Sequence, residues 1–283
     1  FGIAVALEGN RLAIGSTFYD EVFVFERTGG VWTQTAVLAS SLPPAMEFGR
    51  ALALDGDHLL VGAPDAPSVV VGAAAVWKLS TTGTWNEDAV FVGADVGPGE
   101  RFGFGVALQG TTAVVGAKGH GAAGAAYVFE DTGHGLWNEV AKLVPTGATN
   151  GAEFGTSVGL DGDLLAVGAF FDSARGSAYL FERSGAAWSQ LAKLTASDGA
   201  FRDDFGVSLS LRAGSLLVGA PAYQASTPRP GKAYLFEPSR SGGAGSNQAA
   251  PIIPAPTDGA LFGAAGDRPG EPLFVPPILS RLP

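Results

Sequence analysis

One dipeptide organises most of the chain. Phe-Gly stands at Phe1-Gly2, Phe48-Gly49, Phe102-Gly103, Phe154-Gly155 and Phe205-Gly206, at spacings of 47, 54, 52 and 51 residues. Each pair leads into a short apolar run (IAVAL, RALAL, FGVAL, TSVGL, VSLSL) and then a tight turn such as Asp55-Gly56 or Asp161-Gly162. A second shared run follows (RLAIGS, HLLVGAP, TAVVGAK, LLAVGAF, SLLVGAP), and after a loop a third (VFVFE, AVWKLS, AYVFE, AYLFE, AYLFE). Trp32, Trp85, Trp137 and Trp188 each open a fourth. A period near fifty residues, held in four registers at once, marks one supersecondary unit copied in tandem, each copy needing neighbours to bury its faces.

Each unit reads as four short strands. Asp-Gly supplies the positive φ that a two-residue hairpin needs, and Thr28-Gly29, Thr82-Gly83, Thr132-Gly133 and Ser184-Gly185 do the same between the third and fourth runs. With Gly 42 and charged residues at only 16%, long helices are disfavoured, since an interior Gly costs about 1 kcal/mol relative to Ala. Hydrophobic content of 46% is enough to build a core. The first run alternates small and large (Ala4, Ala6 against Val5, Leu7), and the second is apolar on both faces, as in Leu164 to Val167. Such a strand must be covered on both sides, one by each neighbouring unit. The fourth alternates, with Trp188, Ala192 and Leu194 on one side, Ser189 and Lys193 on the other, and Leu191 out of phase. That describes a half-solvated outer strand, where Lys142 and Lys193 discourage edge-to-edge pairing, so a monomer is expected. The fold class is all-β: a β-propeller of about five four-stranded blades, either a closed ring of five or part of a larger one. The units are 1–47, 48–101, 102–153, 154–204 and 205–237, the last without its Trp strand.

The Phe-Gly pairs, the Val-Gly-Ala-Pro runs (Val61 to Pro64, Val218 to Pro221) and the Ala-Tyr-Leu-Phe runs resemble the FG-GAP repeat family, known from integrin α-subunit heads and from bacterial secreted and surface proteins. The likeness covers residues 1–237. It implies a propeller, a binding or adhesive role and an extracellular or cell-surface setting, and it names no ligand. Integrin-type repeats often carry a calcium loop in the first turn. Here that turn shrinks to Asp55-Gly56-Asp57 or Asp161-Gly162-Asp163, too few carboxylates for the six to eight oxygens calcium takes, so no metal and no cofactor is expected there. The family ring also has seven blades where five are counted here.

Residues 238–283 hold Gly/Ser clusters and Pro251, Pro254 and Pro256, and read as a linker or disordered tail. Leu273 to Leu279 could supply the missing outer strand, against which Pro276-Pro277 tells. A net charge of −10 argues against a nucleic-acid partner. The absence of Cys excludes disulfides and thiolate metal sites, and no apolar run reaches bilayer-spanning length, so no membrane insertion is expected. The sequence opens at Phe1 without Met, as a processed or truncated product would.

Motifs suggestive of chemistry dissolve in context. Gly155-Thr156-Ser157-Val158-Gly159 matches a nucleophile elbow, yet Ser157 falls inside a first strand, where sister units carry Ala4, Ala51, Gly105 and Ser208. Gly119 to Gly124 matches a dinucleotide fingerprint without the helix that would give it meaning. His58, His120 and His134 are isolated, and the four Trp read as blade packing. More informative are carboxylates near Phe-Gly: Glu47, Glu100, Glu153, Asp198, Asp203 and Asp204. An up-down-up-down blade puts the short 1–2 and 3–4 turns on one face and the long 2–3 and 4–1 connections on the other. The 2–3 connections add Asp65 and Asp172 to the candidates for a ligand face. The reading is a non-enzymatic module binding an extracellular protein or glycan on that face. The rivals are a propeller hydrolase working at the channel mouth, or a purely structural repeat.

Overall fold

The computed structural model describes residues 1–44, 46–64, 71–133, 135–222, 231–237 and 248–249. Five antiparallel sheets follow one another, each wound in sequence order. Blade one is β1 (Val5–Glu8), β2 (Arg11–Ser16), β3 (Glu21–Thr28) and β4 (Val31–Ala39). Blade two is β5 (Ala51–Asp55), β6 (His58–Ala63), β7 (Ala73–Leu79) and β8 (Trp85–Phe91). Blade three is β9 (Phe102–Gln109), β10 (Thr112–Ala117), β11 (Ala125–Asp131) and β12 (Trp137–Leu143). Blade four is β13 (Phe154–Asp161), β14 (Leu164–Ala169), β15 (Ser177–Ser184) and β16 (Ala187–Ala196). Blade five is β17 (Ser208–Arg212), β18 (Ser215–Ala220) and β19 (Lys232–Phe236). The first strands pack on one another from blade to blade while the outer strands splay apart. The chain is an all-β, five-bladed β-propeller. A two-residue strand, β20 (Gln248–Ala249), runs parallel to the outer edge of β16, the edge that Lys193 was expected to guard. The linker or tail read over 238–283 lies, but for Gln248–Ala249, outside the described residues, as do Leu273 to Leu279, weighed as an added strand, and Asp65 and His134.

Among the described residues the buried apolar side chains form four clusters, one at each junction between consecutive blades. Glycine pairs set how closely the blades approach. A Cβ on Gly15, Gly62, Gly116 or Gly168, all in second strands, would lie within 2.0 Å of the carbonyl oxygen of Gly49, Gly103, Gly155 or Gly206 in the next blade. Those Phe-Gly glycines also hold φ between +92° and +101°, a region that L side chains rarely enter. The dipeptide is thus a joint: Phe48, Phe102, Phe154 and Phe205 are at most 1% exposed, while the glycine lets two backbones touch.

A second contact recurs at the opposite rim. Side-chain oxygens of Glu8, Asp55, Gln109 and Asp161 accept hydrogen bonds from N–H groups of Gly56, Gly110, Gly162 and Gly214 in the next blade's first turn, at 2.5–2.8 Å. The turn carboxylates are therefore blade-to-blade latches.

The outer strands correct the sequence reading. Opposite the third strand each carries a bulge, with the register slipping at Val24/Phe25, Val76/Trp77, Val128/Phe129 and Leu180/Phe181. In blade four the extra residue is Leu191, which is the out-of-phase position, 51% exposed. The slip puts Trp188 and Leu194 on opposite faces: Trp188 packs toward blade three, and Leu194 with Ala192 toward blade five.

Candidate functional site

The long connections gather at one end, and their polar side chains are largely tied into the scaffold. In the residue before each Phe-Gly, the backbone turns left-handed: φ is 54° at Glu47, 58° at Arg101, 55° at Glu153 and 58° at Asp204. Four non-glycine residues in that region at one repeat position are a shared turn into the first strand. Asp203 and Asp204 are buried there, and the Asp203 carboxylate accepts from the Ala200 N–H at 2.6 Å.

Three blades share a clasp that the sequence reading missed. Tyr127, Tyr179 and Tyr234 occupy one third-strand position, each fully buried. Their hydroxyls donate to Asp95 (2.7 Å), Asp172 (2.6 Å) and Asp198 (2.7 Å). A lysine meets each carboxylate: Lys142 on Asp95 (2.5 Å), Lys193 on Asp172 (2.6 Å) and Lys232 on Asp198 (2.5 Å). Asp95 and Asp198 come from 4–1 connections, Asp172 from a 2–3 loop, so different loops deliver one chemistry to one place. Asp172 is fully buried and also accepts from the Thr149 N–H and hydroxyl, both at 3.0 Å, which takes it off the solvent-facing surface.

The electrostatics follow from this geometry. The Lys142 ammonium, with Tyr127, lowers the Asp95 carboxyl to about 2. Lys232 and Tyr234 lower Asp198 in the same sense. For Asp172 burial pushes upward, but Lys193, Tyr179 and Thr149 outweigh it and hold the carboxyl well below the usual range. Burial, then the neighbouring carboxylate, raises all three tyrosine hydroxyls far above their ordinary value, so they stay protonated donors.

Two further arrangements sit on this end. His120 Nδ1 lies 2.6 Å from Glu100, and its Nε2 lies 2.7 Å from the Lys142 ammonium. Lysine can only donate, so Nε2 is the acceptor and Nδ1–H the donor. Burial raises the Glu100 carboxyl, but the Gly97 N–H and His120 bring it below its ordinary value. Nearer the first strands, cations and rings alternate across blades two to four. The Arg50 guanidinium lies 4.5 Å from the Phe104 ring centre, and Lys118 lies 3.8 Å from Phe104 and 5.6 Å from Phe170. Glu47 meets Arg50 at 3.8 Å and Glu153 meets Lys118 at 3.0 Å. The start of the first strands is thus more charged than their Ala/Gly/Ser/Val/Leu interiors suggest. Ser157 is a joint residue, its hydroxyl donating to the Gly206 carbonyl at 2.7 Å. Among the described residues no group of three His, Asp or Glu side chains is placed to hold a metal ion.

Three consecutive segments, residues 85–129, 137–181 and 188–236, match the model of the FG-GAP repeat. The chain belongs to the FG-GAP repeat family. No curated protein matches it. Each FG-GAP match opens at an outer-strand Trp (Trp85, Trp137, Trp188) and closes in the third strand of the next blade. One FG-GAP repeat therefore laces two blades, and each match holds one partner of a joint and of a latch, as Gly103 and Gly110 do in the first, their partners Gly62 and Asp55 lying before it.

Among the described residues, large aromatic side chains stand exposed on the long-loop face. Phe18 and Tyr19, in the 2–3 loop of blade one, are 86% and 69% exposed with rings in edge contact at 5.0 Å, and Phe201, between blades four and five, is 58% exposed. No described helix is long and apolar enough to cross a membrane.

Proposed function

We propose that this FG-GAP propeller is a non-enzymatic, extracellular binding module that meets a protein or glycan with its long-loop face. The exposure of Phe18, Tyr19 and Phe201 at the loop end carries this reading, because large aromatic surface left in water beside a rigid frame is where binding energy is gained. Clasped carboxylates hold the loops in place, and the more accessible Glu47 and Asp198, with side chains 40% and 44% exposed, add an acidic rim.

Screening the chain against glycans and matrix proteins tests the reading. Phe18→Ala with Tyr19→Ala, or Phe201→Ala, should weaken a detected interaction tenfold or more, about 1.4 kcal/mol, with the melting temperature unchanged. Binding that survives replacement of every long loop, or turnover of a hydrolase substrate by the chain, would count against it.

A further inference from the structure

His120 and Asp172 hold the same place in blades three and four, each three residues past the alanine that ends the second strand, Ala117 or Ala169. Each lies beside the third-strand tyrosine and the outer-strand lysine of its own blade. Asp172 meets Lys193 and the Tyr179 hydroxyl, both at 2.6 Å. His120 meets Lys142 at 2.7 Å, with its ring edge-on to Tyr127 at 5.9 Å. The carboxylate on the Tyr127 hydroxyl is Asp95, which arrives from the 4–1 connection. One position therefore receives its lysine with a carboxylate in blade four and with an imidazole in blade three. The two part company in mild acid. A carboxylate goes on accepting, but an imidazole that takes a second proton has a donor at both nitrogens and no acceptor left.

We propose that the blade-three clasp is an acid-sensitive switch: protonation of His120 exchanges the cation on Asp95, Lys142 giving way to the imidazolium. The neutral ring donates Nδ1–H to Glu100 at 2.6 Å and accepts the Lys142 ammonium at Nε2. That ammonium also lies 2.5 Å from Asp95, and Nε2 itself lies 3.8 Å from the same carboxylate. A proton on Nε2 sets two cations 2.7 Å apart, so the ammonium leaves and the new N–H turns to Asp95. The charges around the ring support the exchange. Asp95 and Glu100 face it from the 4–1 connection, and both carboxyls are held below their ordinary values, so they stay ionised while histidine changes charge between about pH 5 and 8. Glu139, on β12, holds the Ala94 N–H at 2.8 Å and adds negative charge nearby. Lys118, on the same loop as His120, is turned to Glu153. Lys142 is the opposing cation, and its long stem can carry the charge into water. The connection itself stays anchored, since Glu100 keeps His120, the Gly97 N–H at its carboxylate and the Gly119 N–H at its carbonyl. What changes is the surface: in acid the long-loop face gains positive charge at blade three, whatever that face binds.

Nuclear magnetic resonance of the whole chain, titrated from about pH 8 to about pH 5, tests this across the histidine range. It follows the His120 imidazole carbons and the Cε signals of Lys142 and Lys193, assigned with His120→Gln, Lys142→Arg and Lys193→Arg. The Lys142 signal should shift with the same midpoint as the His120 ring. The Lys193 signal, whose partner is Asp172, should stay in place over the same range. In His120→Gln the amide oxygen can accept from lysine at every pH, so the Lys142 signal should become flat. Circular dichroism and a thermal melt confirm that this variant is folded, and His120→Asn takes its place should it fail that check. An imidazole that does not titrate in this range overturns the proposal. So does a Lys142 signal that ignores the imidazole, or one that still shifts in the glutamine variant.

Discussion

At Asp172 a carboxylate with no solvent exposure is held by a tyrosine hydroxyl, a lysine and a threonine that presents both its N–H and its hydroxyl. Removing the charge while leaving its partners in place is costly. Asp172→Asn should lose about 2–3 kcal/mol of stability, read from urea unfolding at neutral pH. The clasps also fix an acid limb. Because the folded carboxyls of Asp95, Asp172 and Asp198 lie below the ordinary 3.8, their stabilisation is complete above that value and fades as the pH falls through the lowered ones, near 2 for Asp95. Unfolding midpoints measured from pH 5 to pH 2 should drop, and the drop should be shallower in Asp172→Asn. Little of this could be read from the sequence. Asp172 and Asp198 stood out as loop carboxylates and Lys142 and Lys193 as edge charges, but Asp95 drew no notice. Their pairing depends on loop paths, and a 2–3 loop replaces a 4–1 loop in blade four without any change of spacing that would betray it.

Strands and their joints were far more legible, because Phe-Gly, the Gly-Ala end of the second strand and the turn glycines mark backbone geometry that only those residues permit. Gly62→Ala would drive a Cβ to 1.9 Å from the Gly103 carbonyl oxygen, backbone against backbone, and should cost more than about 3 kcal/mol or prevent folding. The outer strands were misread because alternation assumes an unbroken pleat, and one bulged residue reverses every side chain beyond it. Leu191 and Leu194 then separate cleanly. Leu191→Lys, at 51% exposure, should change stability by no more than about 0.5 kcal/mol. Leu194→Ala, at 5% exposure in the junction with blade five, should cost about 2–4 kcal/mol. Both are read from the same denaturation curves.

Across the whole molecule, stability resides between blades. The four apolar clusters, the glycine joints and the rim latches all belong to junctions, so among the described residues no blade has a core of its own. The family repeat, running from one blade's outer strand through three strands of the next, expresses this in sequence and explains why the architecture could be read before the site. The loop face follows a different logic, since its exposed aromatics recur in no register. Methyl-methyl nuclear Overhauser contacts in an Ala/Ile/Leu/Val-labelled chain test the central arrangement most directly. Face-to-face blades predict cross-peaks from Leu60 to Val106 and Leu108, from Val114 to Leu165 and Val167, and from Ala166 to Leu216 and Val218. Their absence, with cross-peaks instead joining β4 to β5 and β8 to β9 as neighbours in one continuous sheet, would contradict the propeller.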